Sequence, residues 1–291
     1  MRAAWLGLVV ALLAACSSVP ESDRPSPLPA YAKEIAISAA WSHELGAWQE
    51  APEGRLQPVL VDGMVVLADG LDWLRAFDAR SGKLRWELRT GVAIGGGIAV
   101  AGDKLLLGTR RGEVIAYALK DGSLLWEATV ATPQGRSELE RMVDVDADPV
   151  VMGDTVYAAA YQGRVVALSR DSGRVLWARD MSVYNNMTAD EHALYLSDDK
   201  GAVWAIDRGS GAALWKQEKL RNRGVSAPVL FGDYVVVADY QGYLHWLARD
   251  DGHLAGRYHV DDAGVVAAPF PVKNLLYVQG LGGGAEALRA Q

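Results

Sequence analysis

The sequence predicts an all-β chain, a β-propeller of four-stranded antiparallel blades, six in number and closed by an N-terminal strand. Three observations carry this reading. Five stretches repeat one pattern; four end in tryptophan, at Trp86, Trp126, Trp177 and Trp215, and the fifth puts Gly256 where tryptophan is due. Those closing positions lie 40, 51, 38 and 41 residues apart, the length of a propeller blade built from short strands. Helical periodicity is absent from the whole region.

Each repeat resolves into four strands joined by tight turns. Two apolar runs open it, as in Pro58-Val-Leu-Val-Asp-Gly-Met-Val-Val-Leu-Ala and Ala227-Pro-Val-Leu-Phe-Gly-Asp-Tyr-Val-Val-Val-Ala. The Asp-Gly or Gly-Asp between them tolerates the positive φ of a two-residue hairpin. A second pair follows, such as Gly163-Arg-Val-Val-Ala-Leu-Ser-Arg-Asp-Ser-Gly-Arg-Val-Leu-Trp177, whose turn is Ser172-Gly173. Its counterparts are Ser81-Gly82, Asp121-Gly122, Ser210-Gly211 and Asp251-Gly252. Gly112, Gly163, Gly201 and Gly242 open the third strands, where a side chain would crowd a neighbouring chain segment. The tryptophan on the last strand fills the wedge against the next blade. Burying such a ring removes roughly 150–250 Å² from water, several kcal/mol per junction at about 25 cal/mol per Å².

The last repeat is short of a strand. Ala268-Pro-Phe-Pro-Val-Lys-Asn-Leu-Leu-Tyr-Val-Gln supplies two and Gly283-Gly-Ala-Glu-Ala-Leu-Arg a third. Ile37-Ser-Ala-Ala-Trp41-Ser-His-Glu-Leu, whose Trp41 has no repeat ahead of it, is the expected fourth. Closing the ring this way removes exposed sheet edges.

The first residues carry an address. Met1 to Cys16 shows one positive charge, a short apolar run and small residues before a cysteine, which reads as a secretory signal too short for a membrane span. Leu13-Ala14-Ala15-Cys16 has the form of a bacterial lipobox. Cys16 is the only cysteine, so it has no disulfide partner within the chain, and lipidation accounts for it. The expected organisation is a signal peptide over 1–15, a lipidated flexible tether rich in Ser and Pro over 16–36, and a propeller over 37–291. Ser17 after the cysteine, as in known lipoproteins, directs the anchor to the outer membrane.

No catalytic constellation is present in the sequence. The five histidines lack metal-ligand spacing. Gly95-Gly96-Gly97 and the run at Gly280 open no helix, so they do not read as phosphate loops. Asp198-Asp199 and Asp261-Asp262 read as solvated loops with too few oxygen ligands for Ca²⁺, and Asn185-Asn186 as a turn. A formal net charge of −7 with scattered Lys and Arg argues against nucleic acid. No cofactor and no metal are expected. One segment breaks the rhythm: the spacing of 51 residues between Trp126 and Trp177 places an insertion over Thr132–Asp146. Long loops on a rigid ring are where partners bind, and in an extended loop Asp144 and Asp146 point to one side of Val145.

Lipobox, tether and tryptophan-closed blades together resemble the BamB family, lipoprotein subunits of the outer-membrane β-barrel assembly machine. The resemblance covers the chain after Ser17, and its most specific part is Gly135-Arg-Ser-Glu-Leu-Glu-Arg-Met-Val-Asp-Val-Asp146. It implies propeller blades of the pyrroloquinoline-quinone type and a scaffold without catalysis. It also implies contact of the Asp-Val-Asp loop with a periplasmic POTRA domain of the barrel-forming subunit, BamA, with unfolded outer-membrane proteins as a further partner. The matching positions are Asp144 and Asp146, with Arg141 in the same loop. Two departures stand out: the family has eight blades against six counted, and its second contact loop, with a Leu-x-Leu-Arg segment, has no counterpart. Two other functions compete. One is a propeller lipoprotein serving a different envelope partner. The other is a quinoprotein dehydrogenase, whose relatives carry longer chains, a calcium site and often a vicinal cysteine pair.

Overall fold

The computed structural model describes residues 39–43, 56–69, 72–132 and 143–289. Chain contacts fall into two units, Met1–Ala40 and Trp41–Gln291; the fold below is that of the second. Cys16, the expected signal peptide and tether, and Arg141 lie outside the described residues.

Six antiparallel sheets follow one another along the chain, each paired in sequence order. Blade one holds β1 (Val59–Val61), β2 (Met64–Ala68), β3 (Trp73–Asp78) and β4 (Leu84–Arg89). Blade two holds β5 (Ile94–Ala101), β6 (Lys104–Thr109), β7 (Glu113–Ala118) and β8 (Leu124–Thr129). Blade three is β9 (Val150–Met152), β10 (Thr155–Ala159), β11 (Arg164–Ser169) and β12 (Val175–Asp180). Blade four is β13 (Thr188–Ala189), β14 (Ala193–Ser197), β15 (Val203–Asp207) and β16 (Ala213–Gln217). Blade five is β17 (Val229–Phe231), β18 (Tyr234–Ala238), β19 (Tyr243–Ala248) and β20 (Leu254–His259). Blade six has three strands, β21 (Phe270–Val272), β22 (Leu275–Gln279) and β23 (Ala285–Leu288). The all-β propeller expected from the repeats is the fold observed.

One arrangement recurs at the junctions. Trp86 donates its indole N–H to the carbonyl of Leu119 in the next blade at 3.0 Å. Trp126 does so to Arg170 at 2.9 Å, Trp177 to Arg208 at 2.8 Å and Trp215 to Arg249 at 2.9 Å. Each ring lies flat on the turn glycine of the following blade: Gly122, Gly173, Gly211 and Gly252 in turn. These glycines have positive φ, and a Cβ on any of them would strike the indole. The hairpin glycine and the tryptophan of the preceding repeat are therefore two halves of one contact. A bulge sits beside every such tryptophan, because the ladder slips by one residue after Ala76, Ala116, Ala167 and Ala205. The extra residue strengthens the local twist of the outer strand.

Of the N-terminal strand expected to close the ring, Ile37 to Leu45, residues 39–43 are described. Among the described residues blade six has no fourth strand, and 39–43 belong to none. The tryptophan of this segment meets blade one, as the expected closure of the ring requires. Trp41 donates to the carbonyl of Ala79 at 3.1 Å and lies on Gly82, as the other tryptophans do on their glycines. His43 Nε2 is 2.6 Å from the Gly82 carbonyl oxygen, and its ring stacks on Phe77 at 4.3 Å. The expected tryptophan is in place, and no strand pairing is present among the described residues 39–43. On blade six Phe270 is 68% exposed and Tyr277 43%.

Three blades share a turn device between their second and third strands. Asp69, Asp198 and Asp239 each accept two backbone N–H groups with Oδ1. A side chain six residues on faces the same carboxylate. Arg75 is 3.6 Å from Asp69, Trp204 donates to Asp198 at 2.9 Å, and His245 Nε2 is 2.8 Å from Asp239. Burial holds His245 below the usual histidine range, with Asp239 opposing. Asp198, expected in a solvated loop, caps a turn.

Candidate functional site

The described end of the connection between blades two and three, 143–149, packs inward before β9 starts. Val143, Val145 and Ala147 are buried, and Asp144, Asp146 and Asp148 alternate with them, half-buried. This period-two pattern makes the segment an added strand in all but length. Asp144 pairs antiparallel with Tyr161, whose N–H donates to the Asp144 carbonyl at 2.8 Å. Val145 N–H donates to the Thr109 carbonyl at 3.2 Å.

The platform beneath is the glycine run of β5. The ladder with β6 skips between Ile94 and Ile98, leaving Gly95, Gly96 and Gly97 as a wide bulge. A Cβ on Gly96 would lie 2.8 Å from the Val145 carbonyl oxygen and 2.9 Å from that of Ala147. The run lets two backbones lie in contact, the use to which glycine in a strand is commonly put. No phosphate-loop geometry is involved.

Asp148 fixes the far end. Its Oδ1 accepts the Gly97 N–H at 2.7 Å and its Oδ2 accepts Asn186 Nδ2 at 3.0 Å. Its own N–H donates to Asn186 Oδ1 at 3.0 Å. Asn185 Nδ2 reaches the Val225 carbonyl at 2.9 Å. The Asn-Asn pair, expected as a simple turn, fastens the loop and the next two blades. Sequence reasoning missed Asp148 and Asn186. Asp148 continues the alternation of Asp144 and Asp146, but its partner lies 38 residues away and no local pattern points to it.

The two expected contact carboxylates share one neighbourhood. Oδ1 of Asp144 and Oδ1 of Asp146 lie 3.2 and 3.4 Å from where a Gly95 Cβ would be. They are turned toward the glycine platform, at one side of Val145 as expected and half-buried. Asp144 Oδ1 is buried without a hydrogen-bond partner among the described residues. Burial and then the charge of Asp146 push the Asp144 carboxyl up to about 7, against the pull of Arg110. Such a group is an acceptor in want of a donor, because a buried unpaired carboxylate oxygen costs free energy until something bonds to it.

Outside this loop, Asp250, Asp251 and His253 place ligand atoms within 4.8 Å of one another, all exposed. Asp251 Oδ1 accepts the His253 N–H at 3.0 Å, which is ordinary turn chemistry.

A family model described as "Outer membrane protein assembly factor BamB" matches residues 38–217 and 210–291. The chain belongs to the BamB family. Family members named as outer membrane protein assembly factors include that of Alkalilimnicola ehrlichii, 37% identical over 190 residues, 65% of this chain and 50% of the relative. The BamB of Yersinia pestis is 34% identical over 244 residues, 81% of this chain and 62% of the relative. The chain thus spans about half to two-thirds of the length of these BamB relatives. A crystal structure of BamB from Moraxella catarrhalis superposes with a TM-score of 0.55 at 22% identity, covering 81% of this chain and 85% of that one. It shares the propeller fold.

Proposed function

We propose that this chain is a non-catalytic scaffold lipoprotein of the outer-membrane β-barrel assembly machine. In this reading Cys16 is lipidated after removal of residues 1–15, residues 16–36 form the tether, and the propeller hangs on the periplasmic face of the outer membrane. The 143–148 segment, with Arg141 beside it, binds a periplasmic POTRA domain of BamA, and the assembled machine inserts outer-membrane proteins.

Membership of the BamB family supports the assembly role. The observation that carries the contact is Asp144, a half-buried carboxylate held on a rigid glycine platform with one oxygen unpaired. The accessible part of this half-buried carboxyl offers a partner strand an acceptor, and a hydrogen bond to a charged group contributes about 1.5–3 kcal/mol. The test is binding of the full-length protein to purified POTRA domains. Asp144→Ala with Asp146→Ala should abolish binding while the fold stays intact. Glu191→Ala with Asp250→Ala, both exposed and on other blades, should bind as the wild type does. Equal binding by both double variants moves the interface elsewhere.

A further inference from the structure

The turns between third and fourth strands lie side by side along one end of the propeller. Each is bonded to the turn between the first two strands of its own blade. Leu119 N–H donates to the Asp103 carbonyl at 2.8 Å, and Arg170 N–H to that of Asp154 at 2.9 Å. The indole bonds of Trp86, Trp126 and Trp177 tie each outer strand to the next such turn. On blades one to three this rim carries Leu84, Leu124, Leu125, Val175 and Leu176, each at least 40% exposed. Packing does not ask for them. Leu125 and Leu176 are the residues that the ladder skips at the bulge, a position held by Arg85 in blade one and Ala255 in blade five.

Charge on the rim is sorted in the same way. Asp78 is paired with Arg85, Asp103 and Asp171 with Lys104, and Asp154 with Arg170. Arg80, Lys83, Lys120 and Arg174 are exposed and without an ion pair among the described residues; Asp62 and Asp121 are the acids of these blades left over on the rim. Lys83 and Arg174 stand directly before Leu84 and Val175. Further round, the same rim turns acidic, with Glu191, Asp233, Asp250 and Asp251 exposed. Blade five also breaks the pattern in its ladder, with Trp246 on the third strand opposite Gly256 on the fourth.

The attachment of Trp41 is a third observation. It donates to the Ala79 carbonyl and lies on Gly82, both in the turn between β3 and β4. The chain that leads back to Cys16 therefore joins the propeller at the cationic, aliphatic part of this rim.

We infer that the rim of blades one to three docks on the surface of an anionic lipid leaflet. Aliphatic side chains beside lysine and arginine are the composition by which a surface rests among headgroups. The aliphatics enter the acyl boundary, and the cations meet lipid phosphates. A lipid surface needs no strand partner, so the bulges that interrupt these outer strands do not stand in its way. The inference goes beyond the anchor proposed at Cys16, because the rim itself is the binding surface and is testable without that lipid.

The experiment is co-sedimentation of residues 16–291 carrying Cys16→Ser, the mature length of the proposed lipoprotein without its lipid. The vesicles are phosphatidylcholine, alone or mixed with phosphatidylglycerol. The chain should sediment with the mixed vesicles, about tenfold less with the neutral ones, and less as salt screens the charge. Lys120→Glu with Arg174→Glu should weaken binding about tenfold or more. Leu125→Ser with Leu176→Ser should weaken it about fivefold. Lys200→Glu with Lys219→Glu makes the same change in net charge at the opposite end of blade four and should bind as the wild type does. All six positions are exposed, so the melting curves of the three variants should match that of the parent. Failure to sediment with the mixed vesicles overturns the inference and leaves the rim to a protein partner. Undiminished binding by either rim variant also overturns it. So does an equal loss in the Lys200 and Lys219 variant, which would reduce the attraction to net charge.

Discussion

Asn186 and Asp148 hold each other at two points. The side-chain amide donates to Asp148 Oδ2, and the Asp148 backbone N–H donates to Asn186 Oδ1, both at 3.0 Å. Through Gly97, the same carboxylate is tied to β5, so one residue links blade two to the entry of blade four. The segment that carries Asp144 and Asp146 is positioned by residues that need touch no partner.

The first prediction tests that clasp. Asn186→Ala removes two hydrogen bonds, one of them to a charged group, and should cost about 2–4 kcal/mol in denaturant titration. Amide exchange at Val145 and Ala147 should quicken more than at β19. An unchanged exchange rate at these two amides would show that the glycine platform alone holds the loop.

The second concerns pH. Asp144 is raised from 3.8 to about 7 in the fold, so the folded state binds this proton more tightly than the unfolded chain does. Its contribution is fully present below about pH 4 and is lost as pH rises through 7. Asp144→Asn keeps the shape and removes the titration. At pH 8 it should be more stable than wild type by about 1–3 kcal/mol, the cost of an unsatisfied buried group, with no such gain at pH 4. Melting curves of both proteins at the two pH values decide it; a gain of equal size at pH 4 would mean that charge is not the cause.

Much of this fold was legible in the sequence, for a physical reason. Every blade solves the same packing problem, so the Trp86, Trp126, Trp177 and Trp215 positions announce themselves by repetition, and Trp41 could be placed by analogy. Repetition also conceals. Trp246 reads as one more aromatic residue on a third strand until its pairing with Gly256 is seen, since an exchange across a ladder keeps composition and spacing nearly intact. The strand expected around Trp41 lies only partly within the described residues, where the indole and its hydrogen bond are what place the segment. At the site, the alternation of Asp144, Val145 and Asp146 correctly gave a shared side. It could not give depth, which is set by three glycines about fifty residues earlier.

Trp41 supplies the third prediction. Its hydrogen bond to Ala79 and its contact with Gly82 and Phe77 are what the N-terminal segment contributes to blade one. Trp41→Ala should lower stability by about 2–4 kcal/mol. It should raise amide exchange selectively in β3 and β4. Destabilisation spread evenly over all six blades would contradict a local role.

The fourth concerns the proposed anchor. Cys16→Ser should shift the protein from the membrane pellet to the soluble periplasmic fraction. A pellet fraction unchanged after high-salt washing would point to a different attachment.

The bulge repeated beside each junction has a consequence for solubility. Each of the five complete sheets ends in an edge strand, and those edges carry exposed aliphatic residues, among them Leu124, Leu125, Val175, Leu176 and Leu214. Edges of that composition are templates for pairing with other chains. The extra residue at Arg85, Leu125, Leu176, Leu214 and Ala255 interrupts the outer strand where it would have to lie flat, and a twisted, broken edge cannot seat a long foreign strand. β23 has no such interruption in its ladder with β22. Among the described residues, that leaves β23 the edge least protected against a foreign strand.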